Sequence, residues 1–121
     1  MSEQPRQSAT AESAKAITGS GQHEDFPGQL LVTRHHSAIR EWARARQAEP
    51  VMYRDSEGRD RVPQVSLLLP GDRRGDDLTT VPWERWLDTF TLADLRFIYR
   101  EHTPEGELST YFRLDRSSRE G

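Results

Sequence analysis

The histidine pair in "TRHHSAIREW" is the most direct invitation to metal chemistry in this chain, because neutral imidazole is a common transition-metal ligand. Successive residues of a helix point about 100° apart, so His35 and His36 cannot close on one ion unless a third group arrives from elsewhere. His23 falls in a polar N-terminal segment and His102 in a turn, neither an obvious third ligand. The chain has no cysteine, which excludes thiolate sites and disulfides alike. We therefore expect no metal and no cofactor, with His35 and His36 open to solvent where a helix begins.

Acid–base catalysis needs a carboxylate or imidazole with a pKa shifted inside a pocket. The concentrated acids are Asp76, Asp77, Glu84 and Asp88. Glu84 and Asp88 stand one turn apart on a helix whose other face is apolar, so they read as its solvated side. Asp76 and Asp77 sit in a glycine-bounded loop. The sequence shows no nucleophile–base pair, no phosphate-cradling glycine loop and no Gly-x-Ser-x-Gly elbow. The expectation is a protein without catalytic residues, not an enzyme.

Two binding chemistries remain. Arg40, Arg44 and Arg46 lie on an early helix, and Arg54, Arg59 and Arg61 follow on the adjoining hairpin, so the six form a candidate phosphate-contacting set for nucleic acid. Against that set stand the net charge of −3 and aromatics at core spacing rather than on an arginine-flanked platform. Trp83 is the candidate for protein contacts. It opens a helix after a polar loop, and a tryptophan that the core does not need becomes an interface anchor.

These side chains are positioned by elements that the apolar spacing makes legible. Residues 1–28 are rich in Ser, Gln, Glu, Ala and Gly and are expected as a disordered tail, since little burial offsets the entropy of ordering them. "DFPGQLLV" is where the tail would dock. Thr33 is placed as the N-cap of a helix with Ile39, Trp42 and Ala43 on one stripe, and Pro50 as its terminator. Val51–Arg54 and Val65–Leu69 alternate around "DSEG" as a hairpin, and Pro70–Thr80 reads as a polar loop. Pro82 starts a second helix with Trp83, Trp86, Leu87 and Phe90 at i, i+3, i+4 and i+7. Leu95–Tyr99 and Leu108–Leu114 alternate across a Thr-Pro-Glu-Gly turn as a second hairpin, and 117–121 should fray.

Placed in that order, "TRHHSAIREWARARQAEPVMY" and the later helix and strand resemble a family of small, uncharacterised bacterial proteins with a Thr…Asp-His-Asp-x-Ile-Arg-x-Trp-Ala start. The matching residues are His36, Ile39, Arg40, Trp42, Ala43, Pro50, Trp83, Phe90, Leu95, Phe97 and Tyr99. The likeness covers roughly residues 33–114. It departs where the two acids flanking the family's histidine are replaced by His35 and Ser37, which removes any metal or acid–base role built on that trio. Some members carry a glucan-branching-enzyme label. Glycosidase chemistry needs two carboxylates across a sugar cleft, so the resemblance implies an order of elements and no activity.

The expected fold is one α+β domain over 29–116, two layers, helix–hairpin–helix–hairpin, with a four-stranded antiparallel sheet carrying both helices on one face. Trp42, Trp86, Phe90, Phe97, Tyr99 and Phe112, with Ile39, Val65, Leu67 and Leu87, should form the core. Without a long apolar run or a secretory signal, the expected location is the bacterial cytoplasm, with no membrane span. The expected role is a non-catalytic adaptor or regulatory domain acting on an unknown protein partner, as a monomer or small homo-oligomer. Nucleic-acid binding through the six arginines is the alternative.

Overall fold

Ile39, Trp42 and Ala43 turn inward from a ten-residue helix, and Trp86, Leu87 and Phe90 do the same from a second. The computed structural model describes residues 13–19, 21–53, 64–73 and 75–116. Along them run β1 (Lys15–Ile17), β2 (Leu30–Thr33), α1 (His36–Ala45), β3 (Glu49–Tyr53), β4 (Val65–Leu68), β5 (Leu78–Thr80), α2 (Trp83–Leu92), β6 (Leu95–Arg100) and β7 (Phe112–Arg116). None of the described helices is long and apolar enough to cross a membrane.

The class is α+β, but the expected single four-stranded antiparallel sheet does not form. The described residues form two sheets. One has the order β1-β2-β6-β7 and is mixed, because β1 runs parallel to β2; the other is antiparallel in the order β4-β3-β5. Both expected hairpins exist, β3 with β4 and β6 with β7. They do not join: β2 takes the second edge of β6 and β5 the second edge of β3, segments expected as tail anchor and loop, while β7 and β4 stand as outer strands of separate sheets. β2 pairs along β6, with Leu31 opposite Tyr99 and Thr33 opposite Phe97. β5 pairs along β3, with Met52 opposite Thr79. Lys15–Ile17, inside the segment assigned to the tail, is held as an edge strand on β2. Backbone groups pair regardless of side chain, so segments of three or four residues can close a sheet edge without any alternation to announce them.

With two sheets, the helices do not share one face of a single sheet, and α2 packs against β6 as well as against β3 and β4. Trp42 of α1 lies edge-on to Phe97, Phe112 and Tyr99, with centroids 5.3, 5.7 and 6.4 Å away, and its indole N–H donates to the Arg100 carbonyl at 3.0 Å. That ties α1 to the larger sheet. Trp86 of α2 stacks on Phe90 and donates to the Ser66 carbonyl at 2.8 Å, tying α2 to β4. The ten residues expected in the core all belong to one apolar cluster, Phe112 at its partly buried margin.

Two terminators were misplaced. Thr33 is not the N-cap of α1; it closes β2, where its hydroxyl donates to the Ile17 carbonyl and accepts the His35 N–H. His35 occupies the cap position without a side-chain bond. At the other end Gln47 takes φ of 59°, and its N–H and that of Ala48 return to the Arg44 and Ala43 carbonyls. This left-handed closure ends α1. Pro50 lies beyond it, inside β3.

Candidate functional site

Arg40 and Arg44 project one turn apart from the exposed side of α1. The Gln47 closure leads into β3 beneath them, and α2 begins alongside with Trp83. The three side chains, together with Ser37, Glu41, Gln47 and Ala48, line a groove of about 600 Å³. Trp83 is half-buried. One edge rests on Trp86, ring centroids 5.4 Å apart, and the residue also lines the groove. Among the described residues, Arg40 and Arg44 have no ion-pair partner. The protein-contact candidate and two of the nucleic-acid candidates are thus brought into one surface. Two guanidiniums beside an indole can grip a carboxylate or phosphate by forked hydrogen bonds and offer an aromatic face next to it.

Arg46 goes elsewhere. Its guanidinium is internal, with the residue 8% exposed, and donates to the carbonyls of Trp42 at 2.9 Å, Glu101 at 2.8 Å and Ser109. It also stacks over the Trp42 ring, 4.4 Å from the centroid. Burial holds its pKa below the usual arginine value, and the nearby Glu101 carboxylate opposes that shift. A guanidinium so engaged is a tie between α1 and the chain after β6, and cannot also reach a phosphate outside. Arg54, Arg59 and Arg61 lie outside the described residues.

The histidines divide in a way that spacing did not show. His35 faces the Ser37 hydroxyl at 2.9 Å, whereas His36 reaches Thr91 of α2 at 2.9 Å and lies edge-on to Phe90. The pair does not converge, as the 100° argument required. Asp76, Asp77, Glu84 and Asp88 are exposed.

His23 and His102, which had no partners in the sequence reading, meet two glutamates instead. His102 Nδ1 lies 2.6 Å from Glu24 Oε2, and His23 Nδ1 lies 3.3 Å from Glu101 Oε2. The Glu24 N–H points to Glu101 Oε1 at 3.4 Å. The connection from β1 to β2 is pressed onto the turn after β6 to make this possible. Arg100 donates to the Gly28 carbonyl at 3.1 Å, and a β-carbon on Gly28 would lie 3.1 Å from Pro104 Cγ. Gly28 has φ of 90°, so both backbone conformation and close approach require glycine there. His23, Arg46, Tyr99, Glu101 and His102 border a cavity of about 260 Å³. Burial raises the Tyr99 phenol above its ordinary range, and Glu101 adds to the shift. The only local signal of this cluster was a His-Glu and a Glu-His dipeptide far apart in the chain, the first inside a segment whose composition argued against order.

No protein-family model matches this chain, and no curated protein or solved structure matches it either.

Proposed function

We propose that this protein is an adaptor acting through protein contacts, and that it docks an acidic segment of a partner in the groove of Arg40, Arg44 and Trp83. The observation that supports this most is the placement of two guanidiniums, without ion-pair partners among the described residues, beside a half-buried indole. Tryptophan and arginine are the side chains most often dominant at interfaces, and truncating such an anchor typically costs about 2 kcal/mol or more of binding. The nucleic-acid reading loses Arg46 and keeps Arg40 and Arg44 among the described residues, with Arg54, Arg59 and Arg61 lying outside them. Two phosphate contacts correspond to a slope of about −1.8 in log K against log salt, compared with about −5 for all six arginines.

The test is fluorescence anisotropy with a labelled Asp/Glu-rich peptide carrying one aromatic residue, run beside single- and double-stranded oligonucleotides at low and physiological salt. Peptide binding that weakens at least about tenfold in both Trp83→Ala and Arg40→Glu/Arg44→Glu supports the adaptor. The arginine pair is exposed, so that variant leaves the fold in place. Oligonucleotide binding tighter than peptide binding, with a steep salt slope, overturns it.

A further inference from the structure

We propose that Glu24, Glu101 and His102 form a binding site for a divalent transition-metal ion of the zinc type. One ligand atom from each of the three lies within 4.8 Å of the others. The atoms come from two separate stretches of chain, the β1–β2 connection and the turn after β6, which meet only in the fold. Ligands about 2.0–2.2 Å from a tetrahedral centre sit roughly 3.4 Å apart, so an ion would replace the 2.6 Å His102–Glu24 contact and re-space these side chains around itself.

A second observation points to a missing electrophile. Glu24 Oε1 is wholly buried and has no hydrogen-bond partner, although Oε2 of the same carboxylate meets His102. A buried carboxylate oxygen without a donor is costly. A dication would satisfy the orphaned oxygen and offset the charge of both carboxylates. The adjoining cavity, bordered by Glu101, His102 and His23, gives an ion an entry path and room for a water in any open position.

The donor set chooses among metals. Imidazole with carboxylate oxygens and no sulfur suits Zn²⁺, Mn²⁺, Co²⁺ or Ni²⁺, and the imidazole disfavours Ca²⁺ and Mg²⁺. The ion would clip the β1–β2 connection to the end of β6, adding to the Arg100–Gly28 contact. This site uses none of the residues named for peptide docking, so either inference stands without the other.

The experiment is isothermal titration of chelator-treated full-length protein with Zn²⁺, paired with thermal melts in Zn²⁺ and in EDTA and with the visible absorption of bound Co²⁺. One equivalent should bind and raise the melting temperature. Glu24→Gln and His102→Ala should each weaken binding by more than the about 10–100-fold that loss of an outer-shell partner costs. Glu24→Gln keeps the side chain's shape, and far-UV circular dichroism in EDTA checks that both variants fold. His35→Ala/His36→Ala should bind as the parent does. Absence of saturable binding at millimolar Zn²⁺, or one-equivalent binding that survives both Glu24→Gln and His102→Ala, overturns the assignment.

Discussion

Replacing Arg46 with methionine removes a donor from each of three backbone carbonyls. The guanidinium bonds Trp42, Glu101 and Ser109. Glu101's carbonyl keeps the Ser109 N–H at 3.1 Å, so the main loss falls on the other two. A buried carbonyl left without a donor costs about 1–3 kcal/mol, or about 2–6 for the pair. Relief from burying a charge offsets part of that, on the order of 1–3 kcal/mol. The lowered Arg46 pKa carries the sign of that desolvation cost. The net expectation is a destabilisation of about 1–3 kcal/mol, a large share of the roughly 5–15 kcal/mol that holds a domain of this kind. Urea unfolding followed by tryptophan fluorescence should show a midpoint lower by roughly 1–2 M at an unchanged slope. Arg46→Lys should recover less than half, because an ammonium cannot fork to three diverging carbonyls. A loss below about 1 kcal/mol for Arg46→Met would mean that the three bonds do not tie α1 to the chain after β6, and the argument fails.

Trp86→Ala should cost about 3–5 kcal/mol, since the ring is fully buried between Phe90 and Trp83, while Trp86→Phe should cost about 1–2 kcal/mol for the lost bond to Ser66. Equal losses in the two variants, read from the same urea curves, would contradict that division. Tyr99 has a phenol whose folded pKa is raised, chiefly by burial. Its contribution is therefore complete below the unfolded value of about 10 and is lost as pH rises above it. Stability measured from pH 8 to 12 should fall on the alkaline side, and Tyr99→Phe should flatten that limb by up to about 1.4 kcal/mol per pH unit; an identical limb in both proteins refutes it. Gly28→Ala should weaken the docking of the β1–β2 connection, seen as faster amide exchange at residues 23–29, because a methyl group there meets Pro104 in a left-handed backbone.

Local spacing was enough for some of the fold. Ile39, Trp42 and Ala43 specify one buried helix face, and Trp86, Leu87 and Phe90 another, because neighbours three and four apart must share a side. Alternation in Val65–Leu68 and Leu95–Tyr99 marked strands of both hairpins, and Thr103–Gly106 is a turn with Gly106 at φ of 90°. Helix ends were less legible. Thr33 had the right chemistry for a cap but was drawn into β2, and Gln47 closed α1 in a conformation that nothing in its type announces.

What the amino-acid sequence determined by itself was the buried face of each helix, with Trp42, Trp86 and Phe97 as centres of the core, but not the place of Ile17, Leu31, Met52 and Val81 in it. The tertiary structure alone decided that two sheets form, since β1 and β5 have three residues each and are held by backbone pairing that no side-chain pattern encodes. It also decided which arginine is a tie and which a surface. Arg44 and Arg46 are two residues apart on the same helix end, yet only Arg46 finds the Glu101 and Ser109 carbonyls beside it. The meeting of Glu24 with His102 is of the same kind. It spans 78 residues, and it exists because Gly28 lets the β1–β2 connection lie against Pro104.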